Sequence, residues 1–299
     1  MTNRKTGERM DSIIIEAHAK INLGLDITGV RGDGYHLVDM VMQTVSLSDL
    51  VHVQKNGTQE IRLTSTSDSI PLDERNLAYK AAKLMADKFP QVKGVDIHIE
   101  KNIPVAAGLA GGSTDGAAVM TAINRIFNLD IPTEKLMELA VGLGADVPYC
   151  IFGGTARAQG IGEVLTEIKA LPDCFVLLSK PDCSVSTKEA YGRYDAIDEV
   201  KHPDIEGMIR CIEQGDLIKM AEKMGNVLEN VTEPVHPVIG DIKRTMRENG
   251  AVCAMMSGSG PTVFGIFDKE EDLITAKEAV QNRQLCFENI PCRPVAVTH

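Results

Sequence analysis

Aromatic residues are scarce in this sequence. It contains no tryptophan, and its 5 tyrosines and 7 phenylalanines make up only 4% of the 299 residues. No apolar run approaches the about 18 residues of a membrane span, and no segment has the pattern of a secretory leader. Because 43% of the residues are hydrophobic and 24% are charged, we expect an ordered globular protein with an aliphatic core and one long or two ordinary domains.

Basic residues are too few for a chain that binds polyanions broadly. Lysine and arginine number 31 against 42 acidic residues, which gives a net charge of −11. Nucleic acids and anionic membranes bind best to a basic surface, so both are disfavoured as partners. A single anionic substrate stays possible, because one local basic pocket is enough to hold it. We therefore expect small-molecule substrates only, and a monomer or a weak homodimer.

Paired cysteines are also lacking. The seven cysteines include no C-x-x-C pair, and several lie inside apolar runs such as CFVLL. The seven histidines are equally scattered, so the sequence shows no zinc site. This usage is typical of reduced thiols in a cytoplasmic protein.

The hydrophobic periodicity predicts three parts: a flexible tail at 1–10, an N-terminal domain at 11–170 and a C-terminal domain at 171–299. Met10 is a possible natural start. Alternation with period two predicts strands, and apolar residues on one helical face predict helices. In the first domain, strands are predicted near 13–27, 37–53 and 95–99, and helices at 74–89, 114–127 and 133–143, with Ser113 as a helix cap. In the second, the predictions are strands near 174–179, at either side of a glycine turn in 251–267 and at the end of the chain, and helices at 186–194, 204–213, 216–229, 236–249 and 270–283.

Glycines are concentrated between a predicted strand and a predicted helix, in IPVAAGLAGGSTDGAAV at 103–119. A strand that enters a glycine-rich loop and then a helix places unpaired N–H groups beside the positive end of a helix dipole, which suits phosphate. The stretch lacks the Gly-Lys-Ser/Thr of a Walker A loop and the G-x-G-x-x-G of a dinucleotide site. A plain connecting turn is the alternative.

Four further features are each ambiguous alone. Lys20 falls within an apolar strand, where it either faces solvent or points its charge at a phosphoryl group. Tyr35 and His36 follow a Gly-Asp-Gly turn, where they either have no binding role or recognise a nucleobase by stacking and edge contacts. Asp146, in GLGADVPYC, is either a turn residue or a carboxylate that orients a hydroxyl. MSGSGPTVF at 256–264 is a second glycine turn whose bare backbone can approach a ligand.

Taken in order from about Ile13 to Phe267, these segments resemble the GHMP kinase superfamily. The resemblance implies an α+β fold of two domains, with an N-terminal half like a domain of ribosomal proteins, a C-terminal α/β sandwich and an active site in the cleft between them. Within the superfamily, the chain is most similar to the members that phosphorylate a cytidine-diphosphate-linked methylerythritol in the non-mevalonate route to isoprenoids. The motifs that carry this similarity are A-K-I-N-L, G-D-G-Y-H and G-A-D-V-P-Y-C.

The resemblance implies roles for individual residues. Lys20 and Asp146 match the catalytic pair, and Asp146 would act as base or orienter of the acceptor hydroxyl. It also implies ATP with Mg²⁺, although no metal ligand is assigned beyond a hydroxyl of Ser113 or Thr114. The residues implied to contact ATP are Pro104, Val105, Ala106, Ala107, Gly108, Leu109, Ala110, Gly111, Gly112, Ser113, Thr114, Asn76, Leu77 and Lys101. Those implied to contact the acceptor are Asn22, Tyr35, His36, Thr187 and Tyr191.

Ala110 departs from family members that carry a third consecutive glycine there. Its methyl group predicts a backbone outside the left-handed region at this position. Three other functions remain as alternatives: a kinase of a smaller alcohol such as mevalonate or homoserine, an RNA-binding module that uses the ribosomal-protein-like half, and a nucleotide sensor without catalysis.

Overall fold

The computed structural model of the chain describes residues 10–296. The predicted tail at 1–10 falls almost wholly outside the described residues. The strands are β1 (Ser12–Val30), β2 (His36–Lys55), β3 (Ile61–Ser65), β4 (Val95–Glu100), β5 (Thr155–Gln159), β6 (Val164–Glu167), β7 (Phe175–Lys180), β8 (Gly225–Asn226), β9 (Cys253–Met256), β10 (Val263–Phe267) and β11 (Glu288–Cys292). The helices are α1 (Leu77–Lys88), α2 (Gly111–Ile126), α3 (Thr133–Ala140), α4 (Val147–Phe152), α5 (Thr187–Tyr194), α6 (Ile205–Gln214), α7 (Leu217–Lys223), α8 (Glu229–Thr232), α9 (Val238–Glu248) and α10 (Glu270–Asn282).

The chain forms two compact units that alternate along the sequence. The first unit contains the chain up to Ala17, then Asp49–Lys101 and Gly112–Ile151. The second unit contains His18–Ser48, Asn102–Gly111 and the chain from Phe152 onward. The order alternates because the long strands β1 and β2 each begin in one unit and end in the other. The boundary predicted at 170–171 stays a prediction.

The first unit is built on parts of β2, β3 and β4. β4 pairs antiparallel with residues 50–55 of β2 and parallel with β3, so that Val95, Ile97 and Ile99 point inward together. Helices α1 and α2 contribute small buried residues to the same core, such as Ala81 and Ala118. Helix α2 begins at Gly111, so the prediction of Ser113 as its cap is wrong. Ser113 is the third residue of this helix, because the glycines themselves take up helical geometry.

The second unit has two sheet regions. Residues 40–43 of β2 pair antiparallel with β5, which pairs with β6, while β8 pairs parallel with Gly24 and Leu25 of β1. A separate antiparallel sheet has the order β11-β7-β10-β9, and every residue of β10 is buried. This mixture of sheets and helices confirms the predicted α+β class. Within residues 10–296, no helix is both long and apolar enough to cross a bilayer.

Most predicted elements of the second half are confirmed, with one exception. The helix predicted at 216–229 is wrong, since α7 ends at Lys223 and the chain extends through Gly225 and Asn226 before α8. Gly225 pairs with Gly24, and a Cβ atom on Gly225 would lie 3.0 Å from Cβ of Pro203. Tertiary pairing at a glycine has here overridden a helical sequence pattern.

Candidate active site

The loop between Ile103 and α2 has an unusual backbone. We call residues 104–110 the glycine loop. Its φ angles are positive at alternate positions, with 53° at Ala106, 76° at Gly108 and 59° at Ala110. The prediction that Ala110 avoids the left-handed region is therefore wrong. Alternating left-handed residues are typical of backbone nests that bind anions through consecutive N–H groups, and strain of this kind at non-glycine residues is concentrated at functional sites.

A second glycine turn, residues 257–260, packs directly against the glycine loop. Ser257 donates a hydrogen bond from Oγ to the carbonyl oxygen of Gly108 at 2.9 Å, and the N–H of Thr262 donates to the carbonyl oxygen of Ala107 at 3.3 Å. A Cβ atom on Gly108 would lie only 2.3 Å from the carbonyl oxygen of Ser257. Glycine is therefore required at position 108 by close approach of backbone as well as by its positive φ.

Replacement of Gly108 by alanine is expected to destabilise the protein by about 2 kcal/mol or more, because it adds a clash with backbone and a left-handed Cβ at once. Chemical denaturation of the whole chain would measure this loss. Gly142→Ala is the matched control, since its φ is not positive and a Cβ atom there would meet nothing within 4 Å. Equal stability of the two variants would contradict the close approach.

Lys20 and Asn22 lie beside both glycine segments. The Lys20 side chain is buried, and its Nζ donates to Oδ1 of Asn22 at 2.7 Å. The Lys20 N–H donates to the carbonyl oxygen of Leu109 at 3.2 Å, which fixes the strand against the glycine loop. A Cβ atom on Gly258 would lie 3.7 Å from Nζ of Lys20. A lysine only 5% exposed excludes the solvent-facing alternative and places a positive charge where two bare backbone segments meet.

The turn before β2 is held in shape by its own side chains. Arg31 donates to the Asp33 carboxylate at 2.7 Å, and this bond lowers the pKa of Asp33. The guanidinium of Arg31 also lies 5.5 Å from the ring centre of Tyr35, and the N–H of Arg31 bonds the Tyr35 carbonyl oxygen at 2.7 Å. Tyr35 as a whole is 57% exposed. The turn thus presents an ordered aromatic surface to solvent.

Helix α5 brings the other residues assigned to the acceptor next to this turn. The rings of His36 and Tyr191 lie 4.8 Å apart between centres. Asp195, at the C-terminal end of α5, bonds Nε2 of His36 at 2.7 Å. At the other end of the helix, the hydroxyls of Thr187 and Ser259 are 3.0 Å apart. Helix α5 therefore connects the predicted base-reading turn to the second glycine turn.

The first unit contains the remaining residues assigned to ATP. Asn76 is the N-cap of α1: its side chain accepts from the N–H of Ala78 and donates to the carbonyl oxygen of Pro71, both at 2.8 Å. Leu77 lies against the first turns of α2, where a Cβ atom on Gly116 would be 3.3 Å from the Leu77 carbonyl oxygen. The side chain of Asn76 is thus occupied by capping, and a side chain at position 116 would crowd the backbone of α1 at Leu77.

Lys101 belongs to a buried group of charges that the sequence did not indicate. Its Nζ bonds the carboxylates of Asp49 and Asp115, the latter at 2.9 Å, and all three side chains are at most 4% exposed. Burial raises the pKa of Asp115 to about 7, an effect that the charge of Lys101 opposes and that of Asp49 reinforces. Oδ1 of Asp115 has no hydrogen-bond partner within residues 10–296. One ammonium holds two carboxylates here, at the first turns of α2.

Asp146 lies in the first unit, just before α4, and its side chain is partly exposed. Its carbonyl oxygen accepts a hydrogen bond from the N–H of Cys150 at 3.0 Å. Lys20 belongs to the second unit, so the predicted pairing of Lys20 with Asp146 stays a prediction. Among the described residues, no group of three His, Cys, Asp or Glu side chains is arranged to hold a metal ion.

The structure adds residues that sequence patterns missed. Asn226 donates from Nδ2 to the carbonyl oxygens of Met256 and Gly258, at 2.9 and 2.8 Å, and so holds the second glycine turn in place. It was missed because its segment has a helical pattern. Asp195 was missed because its partner His36 lies 159 residues away in sequence. No local signal marks either residue.

Comparisons with known proteins give consistent results. Residues 76–154 match the family described as GHMP kinases N terminal domain, and residues 208–285 match GHMP kinases C terminal. A protein of Lachnospira eligens named 4-diphosphocytidyl-2-C-methyl-D-erythritol kinase is 49% identical over 92% of this chain and 95% of its own length. A protein of Bacillus subtilis with the same name is 48% identical over 86% of this chain and 89% of its own length.

Solved structures agree with these relatives. A crystal structure of 4-(cytidine 5'-diphospho)-2C-methyl-D-erythritol kinase matches with a TM-score of 0.80 and 29% identity, over 95% of this chain and all of that one. Homoserine kinase from Cytophaga hutchinsonii also matches with a TM-score of 0.80, over 98% of both chains, but at 18% identity. At 18% identity, the match to homoserine kinase shows a shared fold and nothing about the substrate.

Proposed function

We propose a reaction for this chain, which belongs to the GHMP kinases: transfer of the γ-phosphoryl group of ATP to the 2-hydroxyl of 4-diphosphocytidyl-2-C-methyl-D-erythritol, a step of the non-mevalonate route to isoprenoid precursors. Relatives at 48% and 49% identity over most of the chain carry the name of this kinase. The observation that carries the proposal is the buried Lys20 ammonium beside two glycine segments, the arrangement that a phosphoryl transfer needs.

The glycine loop is the proposed site of the ATP phosphates. Its alternating positive φ angles and its position before the N-terminus of α2 fit an anion with several oxygens. Mg²⁺ on the phosphate oxygens would neutralise part of their charge. Mg²⁺ is usually held by substrate phosphates, waters and one or two protein oxygens, most often those of carboxylates. A hydroxyl oxygen is also a hard donor that suits this ion, and we propose that the Ser113 or Thr114 hydroxyl would hold it.

The acceptor is proposed to lie against the turn at Tyr35 and His36 and the face of α5. Aromatic rings bind a nucleobase by stacking, and the exposed Tyr35 ring and the paired His36 and Tyr191 rings are available for this. Thr187 and Asn22 supply polar groups further along the same unit. Their positions beside the second glycine turn and Lys20 suit contacts to the erythritol end of the substrate.

In the proposed reaction, the oxygen of the acceptor hydroxyl forms the new bond to the γ-phosphorus while the bond to the β-phosphate oxygen of ATP breaks and ADP leaves. Asp146 receives or orients the hydroxyl proton. Lys20 holds the hydroxyl and stabilises the negative charge that develops on the transferred group. The reactants are small molecules, and we propose that the protein acts on them in the cytoplasm as a monomer or a weak homodimer.

A panel of acceptors tests the proposal. The purified chain is incubated with radiolabelled ATP and Mg²⁺, and with either the cytidyl substrate, mevalonate or homoserine. Label is expected only in the product of the cytidyl substrate. Transfer to mevalonate or homoserine but not to the cytidyl substrate would reject the proposed acceptor, and retention of mixed RNA on a filter at moderate salt would favour the RNA-binding alternative.

A further inference from the structure

The carboxylate of Asp195 decides which ring nitrogen of His36 carries hydrogen when the ring is neutral. Its Nε2 lies 2.7 Å from Oδ1 of Asp195, and the His36 side chain is only 14% exposed. An ionised carboxylate accepts hydrogen bonds and cannot donate them, so Nε2 must carry a hydrogen. The partner of one ring nitrogen decides which tautomer is present. A neutral His36 ring therefore has a bare Nδ1, which is an acceptor.

The rest of the ring is held as well. The Tyr191 ring lies 4.8 Å from that of His36 between centres, with an angle of 50° between the planes. Tyr191 and Asp195 are four residues apart at the C-terminal end of α5, so one helical turn supplies both contacts. Within residues 10–296, the structure records no hydrogen bond to Nδ1 of His36. The ring thus has one edge fixed by α5 and one acceptor available to a ligand.

We propose that Asp195 is a positioning residue that selects the base of the acceptor: it holds His36 in the Nε2–H tautomer, so that Nδ1 accepts from the exocyclic amino group of cytosine and repels the carbonyl oxygen of uracil. The inference rests on the proposed function, since that function supplies the cytidine. At this position cytosine has an amino group that donates a hydrogen bond, whereas uracil has a carbonyl oxygen that accepts one. A site that offers an acceptor therefore binds cytosine and discriminates against uracil. Ring stacking does not distinguish the two bases, because both have a π face.

The first test is Asp195→Asn. An amide either accepts from Nε2–H or donates to a bare Nε2, so the variant no longer fixes the tautomer. We expect the ratio of kcat/KM for the cytidyl substrate to that for its uridyl analogue to fall by about tenfold, mainly through KM. Asp198→Asn is the matched control, because it removes the same charge from an exposed position just beyond α5. An unchanged ratio in Asp195→Asn, or an equal fall in the control, would overturn the proposal.

The second test does not depend on kinase activity. Nitrogen-15 NMR of the free protein at pH 8, with His36 assigned through its loss in His36→Gln, reports which ring nitrogen carries hydrogen. We expect hydrogen at Nε2 in the native protein and a mixture of tautomers in Asp195→Asn. Hydrogen at Nδ1 in the native protein, or the same pattern in both proteins, would contradict the positioning role.

The affinities for CMP and UMP, measured by calorimetry, separate the hypothesis about the kinase reaction from the hypothesis about Asp195. If the chain fails to phosphorylate the cytidyl substrate, the proposed function is wrong, and the role of Asp195 is still decided by whether the preference for CMP is lost in Asp195→Asn. If the kinase reaction is present but Asp195→Asn keeps its preference for CMP, only the role of Asp195 is wrong.

Discussion

Asp146→Asn is expected to lower kcat by about 10²–10⁴-fold, the usual range for a lost general base, while ATP binding stays nearly unchanged. Asparagine fills the same space and makes the same turns as aspartate, but its amide has no negative charge and cannot take a proton. The substitution therefore separates a chemical role from a structural one. Single-turnover phosphorylation and equilibrium binding of an ATP analogue would measure the two quantities independently.

Asp130→Asn is the matched control, since it makes the same change in the same unit at an exposed, left-handed position between α2 and α3. Its turnover should stay near the native value. Unchanged turnover in Asp146→Asn would mean that Asp146 only shapes the chain before α4. Unchanged ATP binding together with lost turnover would exclude the sensor alternative for the native protein, because the residue lost would be one that only catalysis requires.

Lys101→Met is expected to lower the free energy of unfolding by about 3–5 kcal/mol, as is usual when one partner of a buried ion pair is removed. Two buried carboxylates, Asp49 and Asp115, would be left without their counter-charge. Urea denaturation of the nucleotide-free protein measures the loss. Lys83→Met is the control, because Lys83 pairs with Asp87 on the exposed face of α1, where such pairs contribute little.

The loss in Lys101→Met should grow with pH. The pKa of Asp115 is raised to about 7 in the native protein, above its value in the unfolded chain, so the folded state binds a proton more readily and stability falls as pH rises toward 7. Lys101 opposes that shift, and its removal extends the range over which Asp115 is protonated when folded. The difference from the native protein should thus be smaller at pH 5 than at pH 8. A constant difference would show that Lys101 contributes by packing.

Local sequence patterns predicted most of the elements but little of how the chain is divided. The alternation of Val95, Ile97 and Ile99 and the helical face of 74–89 rest on short-range periodicity, which the structure keeps. The interleaving of the two units depends on strands of 19 and 20 residues that pass from one to the other, and no local pattern reports this. The pairing of Gly225 with β1 is likewise a long-range contact, and the sequence around Gly225 has a helical pattern that does not predict it.

The site was predictable where a residue type is unusual for its setting. A lysine in an apolar strand and glycines between a strand and a helix both pointed to Lys20 and the glycine loop. Ala110 showed the limit of this reasoning, because the surrounding contacts hold an alanine in a left-handed conformation that a sequence rule disfavours. The buried charges around Lys101 were invisible, since Asp49 and Asp115 are 66 residues apart and look like ordinary surface carboxylates in sequence.

Helix α5 has a consequence for how such an enzyme changes its choice of alcohol. Thr187, Tyr191 and Asp195 follow one another at intervals of four along eight residues of helix and its cap, and none of them takes part in the glycine loop. A short insertion or a rotation of this one element would move all three together. Natural variants, or grafts of this segment from one homologue to another, would thus be able to exchange acceptors while leaving the apparatus for handling phosphate intact.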